Sequence, residues 1–116
     1  MKNSITIDSR GQGIDELQWL VGKVINTDNM IVDIDTGDCC GWADVETVKD
    51  TFNGDVLITS VSTKDEYDNF YGEDCVIVTL YGQNKEIYEM NLSDGSGSGW
   101  DYGAVATIEI VVNKAN

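Results

Sequence analysis

The chain has 116 residues, enough for one domain that buries about two thirds of its unfolded surface without disulfides or metal ions. Asp and Glu number 21 against 7 Lys and Arg, a net charge of −14, and 41% of the residues are apolar, which argues against disorder. A field of this sign repels nucleic acid and anionic membranes and attracts basic proteins. The composition therefore predicts a single acidic domain over residues 1–116, whose charge either attracts a basic protein as its partner or serves only solubility.

Histidine is absent, which excludes nucleophiles activated by histidine, imidazole metal sites and a histidine pH switch. Two of the three cysteines are adjacent, and the chain contains neither an apolar leader nor a long apolar run. These features predict free thiols in a reducing, intracellular compartment. We expect no cofactor and no enzymatic activity.

The first 26 residues predict an edge strand followed by a helix. Residues 1–8 alternate apolar and polar side chains, as a short strand does. Apolar residues then recur at helical spacing at Ile14, Leu17 and Leu20, and Gly22 stands where a helix ends. This spacing predicts two helical turns.

Residues 23–27 and 30–35 flank a turn-prone Asp28-Asn29 pair, which predicts a β-hairpin. In its second strand Asp33 and Asp35 share a face, about 7 Å apart, because side chains alternate along a strand. Asp38 extends this acidic row beyond the strand.

Asp44 is a favourable N-cap, and the spacing of Val45, Val48 and Phe52 predicts a second helix over residues 44–52. Residues 56–63 are rich in strand-forming types. Residues 64–74 predict a loop or strand end with five carboxylates, namely Asp65, Glu66, Asp68, Glu73 and Asp74.

Residues 75–81 and 85–92 alternate on both sides of a short glycine-containing loop, which predicts a second hairpin. The Gly- and Ser-rich residues 93–103 predict a flexible loop in which Trp100 is a contact that orders on binding. Residues 104–112 predict a final strand whose exposed edge offers a route to a homodimer. The predicted class is α+β, a mostly antiparallel sheet of six or seven short strands with two short helices.

Three site chemistries are weighed against this acidic surface. Residues 33–44 place Asp38 at position six, where a calcium-binding EF-hand loop requires glycine, so they match that loop poorly. Adjacent cysteines on an extended backbone point apart, which disfavours a shared zinc ion. Paired carboxylates with Trp42 and Trp100 as sugar platforms would suit a glycosidase or carbohydrate-binding module, but nothing in the sequence marks one carboxylate as buried.

Three short motifs resemble a family of small uncharacterised domains from bacteriophages and bacteria. They are Leu20-Val21-Gly22-Lys23, Asp38-Cys39-Cys40 with Asp44-Val45, and the segment 75–82 that ends in Tyr-Gly. The resemblance covers about residues 17–92. The chain departs from the pattern at Gly41-Trp42-Ala43 and in lacking histidine before the cysteines. The resemblance implies a phage or mobile-element setting and, by analogy, inhibitors of host defence that mimic nucleic acid, such as anti-CRISPR proteins.

The leading hypothesis is an acidic phage or mobile-element protein that inhibits a host nucleic-acid-binding defence protein by mimicking nucleic acid. Alternatives are a non-enzymatic phage accessory or structural module whose charge serves solubility, and a calcium- or carbohydrate-binding module. The predicted partner-binding residues are the carboxylates of the two acidic segments together with one tryptophan, namely Asp33, Asp35, Asp38, Asp65, Glu66, Asp68, Glu73, Asp74 and Trp100.

Overall fold

The computed structural model describes residues 3–26, 30–37, 41–51, 54–68, 73–83, 85–95 and 103–112. Nine strands and one 3-10 helix, Ile14–Leu20, lie in these segments. The strands are β1 Ser4–Asp8, β2 Val24–Ile25, β3 Met30–Asp35, β4 Trp42–Asp50, β5 Val56–Leu57, β6 Ser60–Asp68, β7 Glu73–Gly82, β8 Lys85–Gly95 and β9 Val105–Val111. The protein is therefore mostly β, and the predicted α+β class with two helices is wrong.

Two antiparallel sheets face each other across one hydrophobic core. One has the strand order β1-β9-β3 and the other β4-β8-β7-β6, while β2 and β5 form a separate two-stranded ribbon. Alternate residues of β7, β8 and β9 are buried, as expected when one side of each sheet is covered. The fully buried side chains with the largest volumes are Ile7, Leu17, Leu20, Ile25, Ile58, Leu80, Met90, Leu92, Ile108, Ile110, Val76 and Val78.

Residues 42–50 form strand β4 where the sequence predicted a helix. Val45 lies opposite Leu92 of β8, so it points toward the core, and a bulge between Thr47 and Lys49 leaves Val48 exposed. The apolar spacing at Val45 and Val48 suits a helix, but the segment is rich in β-branched residues and pairs along its length with β8. Tertiary pairing therefore outweighs the local helical pattern.

The predicted hairpin over residues 23–35 is also wrong. Strand β2 pairs with β5, and β3 pairs with β9 about 75 residues further along the chain. The cause is the match between two alternating strands: Met30 and Val32 lie opposite the buried Ile110 and Ile108. Long-range pairing of apolar rows outweighs the turn propensity of the connecting residues, which lie outside the described segments.

The terminal strands were predicted correctly in type but not both in position. Strand β1 occupies an edge, as expected, whereas β9 lies between β1 and β3 and has no free edge. Pairing of two copies through β9, the predicted route to a homodimer, is therefore excluded by its position in the sheet.

The second predicted hairpin is confirmed as β7 and β8, joined where Gly82 lies opposite Lys85. The acidic residues 64–68, predicted as a loop or strand end, continue β6 and pair with β7 to form a further hairpin. The predicted first helix is a 3-10 helix whose Leu17 and Leu20 are buried in the core. Among the described residues, no helix is both long and apolar enough to cross a membrane.

Candidate functional site

The outward side of the three-stranded sheet carries a row of carboxylates. Asp33 of β3 and Asp8 of β1 both lie opposite Thr107 of the central strand, and Glu109 lies opposite both Ile31 and Thr6. Paired residues point to the same side of a sheet, and their neighbours Ile108 and Ile110 point into the core. We call the outward carboxylates Asp8, Asp33, Asp35 and Glu109 the acidic face.

The carboxylates of the acidic face are spaced apart, and hydrogen bonds restrain several of them. Asp33 and Asp35 lie about 7 Å apart along β3, and Asp8 lies two strand spacings from Asp33, about 10 Å. Ser4 Oγ donates to Glu109 Oε2 at 2.8 Å, and the amide of Gly37 donates to Asp35 Oδ1 at 2.8 Å. These local bonds limit the orientations that the carboxylates sample.

No Lys or Arg belongs to the outward positions of β1, β9 and β3 within the described part of the chain. These positions are Ser4, Thr6, Asp8, Ile31, Asp33, Asp35, Val105, Thr107, Glu109 and Val111. At the outward positions that the structure describes, the negative charges therefore have no compensating cation.

The structure divides the predicted partner-binding residues between two edges of the sandwich. Strand β3, with Asp33 and Asp35, packs near β4, whereas β6, with Asp65 and Glu66, lies at the opposite edge of the four-stranded sheet. Three strand spacings separate β4 from β6, about 14 Å. The two acidic segments therefore do not form one continuous row.

The remaining predicted site residues differ in their exposure and surroundings. Glu66 is exposed and its Oε2 lies 3.3 Å from Lys64 Nζ, while Glu73 and Asp74 are half-buried. Asp68 is the last residue of β6. Asp38 and Trp100 lie outside the described residues. Sequence reasoning missed Asp8 and Glu109. Both alternate with core isoleucines of β1 and β9, so the strand pattern could have placed them on the outward side of their strands.

A buried carboxylate pair lies at the end of the core. Asp94 of β8 is 3% exposed and lies directly opposite Asp74 of β7. The buried Ser9 hydroxyl donates to Asp94 Oδ2, and the Ala106 amide donates to Ser9 Oγ at 3.0 Å. Ser9 directly follows β1, and Ala106 lies in β9 of the same three-stranded sheet. Asp94 belongs to the four-stranded sheet, so these bonds connect the two sheets at one point.

Arg10 is the positively charged residue beside the Asp74–Asp94 pair. Arg10 Nε lies 4.0 Å from Asp94 Oδ2, and the same guanidinium donates to the Ala104 carbonyl at 3.0 Å. Burial raises the pKa of Asp74 to about 6, aided by the charge of Asp94, a hydrogen bond with it and the charge of Asp65, while Arg10 opposes the rise. Such a hydrogen-bonded pair holds a proton between its two carboxyl groups at mildly acidic pH.

The alternation along strand β8 is the feature of the sequence that indicates this buried pair. Asp94 continues the inward series of Tyr88, Met90 and Leu92, so an ionisable residue occupies a core position of the strand. The structure thus shows a buried carboxylate, Asp94, beside one whose pKa is raised, Asp74, and neither was singled out from the sequence as buried.

The geometry of the pair does not suit glycoside hydrolysis. Its two carboxyl groups are hydrogen-bonded to each other, whereas glycosidases separate theirs by about 5 Å or more. A cavity of about 400 Å³ adjoins Gly82 and Glu86, at the other end of the β7–β8 hairpin. Eight residues of strand β7 separate the two places, about 26 Å.

Metal and thiol chemistry gain no further support from the described residues. Within these segments no three His, Cys, Asp or Glu side chains are grouped closely enough to hold a metal ion. Cys75 is a half-buried free thiol whose pKa is raised by burial and by the charges of Glu66 and Asp65. Cys39 and Cys40 lie outside the described residues.

No protein-family model, curated protein or solved structure matches the chain. The resemblance of its Asp-Cys-Cys motif to phage and bacterial domains stays a prediction.

Proposed function

We propose that this protein is a non-enzymatic acidic interaction protein of a phage or mobile element. In the cytoplasm of the host bacterium it inhibits a nucleic-acid-binding defence protein, as anti-CRISPR proteins do, by occupying the basic surface that binds nucleic acid. The observation that carries the proposal is the acidic face, four carboxylates on one side of a sheet whose described residues include no cation there.

The spacing of the carboxylates sets how closely they imitate nucleic acid. One strand of DNA carries a phosphate about every 3.4 Å of helix axis, whereas Asp33 and Asp35 are about 7 Å apart. The acidic face therefore has about half of the linear charge of one nucleic-acid strand. We expect binding that weakens with added salt, with a shallower dependence than the partner shows for its nucleic acid.

The test is capture of host proteins on the immobilised full chain, with elution by a salt gradient and identification by mass spectrometry. The expected partner is a basic nucleic-acid-binding protein that elutes at moderate salt and is displaced by its own DNA or RNA. Retained proteins whose elution does not depend on the salt concentration would favour the accessory-module alternative and contradict mimicry of nucleic acid.

Charge reversal locates the binding surface. The double variant Asp33→Lys with Asp35→Lys should lose at least tenfold in affinity for the captured partner. The matched control is Asp44→Lys with Glu46→Lys, two exposed carboxylates with the same spacing on strand β4. Both variants change the net charge equally, so equal losses would assign the effect to total charge and refute the acidic face as the site.

A further inference from the structure

Strand β3 has an unpaired edge. It pairs with β9 on one side, and no other strand of the described residues pairs with it. About half of the N–H and C=O groups of an edge strand point away from its sheet and are available to another chain. β3 therefore presents a row of main-chain donors and acceptors.

Apolar side chains of β3 are exposed to an unusual degree. Val32 and Ile34 lie opposite the buried Ile108 and Ala106, so they point to the inner side of the sheet. Yet Val32 is 50% and Ile34 44% exposed. The inner side of β3 thus projects beyond the part of the core that the four-stranded sheet covers.

Among the described strands, the neighbouring edge of the other sheet is also unpaired, but its exposed tryptophan does not extend the inner side of β3. β4 packs beside β3 and pairs only with β8 within the described segments. Val45 points into the core opposite Leu92, and Trp42, an odd number of residues away, therefore points to the outer side of its sheet. Trp42 is 37% exposed, and Val48, which lies at the bulge, is 53% exposed. The sandwich is open on this side, and β3 carries the apolar side chains that project there on the inner side of its sheet.

Protective features differ between these two edges. Edge strands are usually blunted by proline, lysine or a bulge. β4 contains a bulge and Lys49, whereas the six residues of β3 pair without a bulge, and their charged side chains, Asp33 and Asp35, are both acidic. An open, regular edge is a template for strand addition.

We propose that β3 binds an extended segment of a partner protein as an added antiparallel strand. On its outer side the segment carries Lys or Arg opposite Asp33 and Asp35, and on its inner side it carries apolar residues against Val32 and Ile34. Main-chain bonds hold the added strand, and the alternating side chains select its sequence. The cationic character of the segment rests on the proposed function.

A second copy of this chain fits the edge less well. Antiparallel pairing of β3 with itself overlaps by five residues in two registers. The register centred on Asp33 places that residue opposite another Asp33, which is destabilising, whereas the register centred on Val32 places each Asp33 opposite Ile31. Each copy also carries a net charge of −14. A cationic strand instead converts these repulsions into attractions.

The test uses capped, fluorescein-labelled seven-residue peptides and the full chain, with binding followed by fluorescence anisotropy. The parent peptide alternates valine and lysine. Two further peptides are N-methylated at alternate residues, one at the valines and one at the lysines, and a fourth replaces lysine by glutamate. We expect the parent to bind, one N-methylated peptide to lose at least tenfold because its methyl groups face β3, and the glutamate peptide not to bind.

Substitutions in the protein test whether the peptide binds at β3. Replacing Val32→Thr and Ile34→Thr keeps β-branched side chains but removes apolar contact, and we expect a threefold or greater loss in affinity. Leu57→Thr on β5, where Leu57 is 52% exposed, should change affinity by less than twofold.

The outcomes separate this inference from the proposed function. Equal binding of the parent and both N-methylated peptides would overturn strand addition while leaving a charge-based acidic face intact. Binding of the glutamate peptide as tight as the parent would overturn the cationic occupant and the proposed function together. Concentration-dependent dimers that exclude the parent peptide would make a second copy the occupant and overturn the inference.

Discussion

Replacing Asp74 by Asn should stabilise the protein at neutral pH and leave its stability at acidic pH almost unchanged. In the native protein Asp74 lies opposite the buried Asp94 and is hydrogen-bonded to it. Above its pKa Asp74 is ionised, and the charge of Asp94 then opposes the charge of Asp74. An asparagine amide can donate to the Asp94 carboxylate without adding a second negative charge.

The magnitude follows from the pKa of Asp74, which folding raises from 3.8 to about 6. A rise of this size corresponds to an upper limit of about 3 kcal/mol. Solvent screening of this half-buried side chain reduces the expected effect to roughly 1–2 kcal/mol. Because the folded pKa is the higher one, the stabilising contribution of Asp74 is complete below pH 4 and is lost as the pH rises through about 6.

Urea unfolding at pH 4, 6 and 7.5 measures this effect as the free energy of unfolding of each variant. We expect Asp74→Asn to gain roughly 1–2 kcal/mol at pH 7.5 and little at pH 4. Glu46→Gln, an exposed carboxylate on β4, controls for the general relief of negative charge. A gain no larger than that of the control, or one that persists at pH 4, would refute the shared-proton account.

Three further outcomes follow from the packing of single residues. Ser9→Ala removes a buried hydroxyl that bonds to both sheets and should cost roughly 2–4 kcal/mol, against less than about 1 kcal/mol for the surface Ser4→Ala, both measured by urea unfolding. Gly13 and Gly54 have φ of 86° and 72°, but a Cβ would lie 2.1 Å from a backbone carbonyl oxygen only at Gly13. Gly13→Ala should therefore cost at least about 3 kcal/mol and Gly54→Ala about 1 kcal/mol in the same assay. Cys75, in a background without the other two cysteines, should react with a disulfide reagent at pH 8 more slowly than an unfolded control, and equal rates would contradict its raised pKa.

Sequence patterns were sufficient to predict the elements whose pairing partners lie nearby in the chain. The β7–β8 hairpin was predicted from two alternating segments and a short glycine-containing loop, and its strands are neighbours in the sequence. The strand character of β1 and β9 followed from alternation alone. Their order in the sheet did not, because pairing between the two ends of a chain leaves no mark on either segment considered alone.

Residues 42–50 show why the second helix was predicted wrongly. Val45 and Val48 are three residues apart, a spacing that fits a helix and also a strand with one bulge. Asp44 was interpreted as an N-cap, yet in the strand its Oδ1 accepts from the Val45 amide at 2.9 Å. The decision between the two structures depends on β8, which offers a long complementary edge, and a local window does not contain that information.

The candidate site was predictable only in part for the same reason. Asp33 and Asp35 were recognised as sharing a face because that follows from alternation within one strand. Their association with Asp8 and Glu109 depends on β9 lying between β1 and β3. The pairing of Asp74 with Asp94 likewise requires the register of β7 against β8.

The two groups of carboxylates differ in how they deal with like-charge repulsion. On the acidic face each carboxylate lies opposite a neutral residue: Asp33 and Asp8 face Thr107, and Glu109 faces Ile31 and Thr6. Directly opposed like charges, which destabilise a sheet, are thereby avoided while the surface stays negative. Asp74 and Asp94 are directly opposed, and there the repulsion is relieved by burial, a shared hydrogen bond and Arg10. The acidic face therefore keeps its charge available for the proposed binding role, whereas the buried pair contributes to the connection between the two sheets.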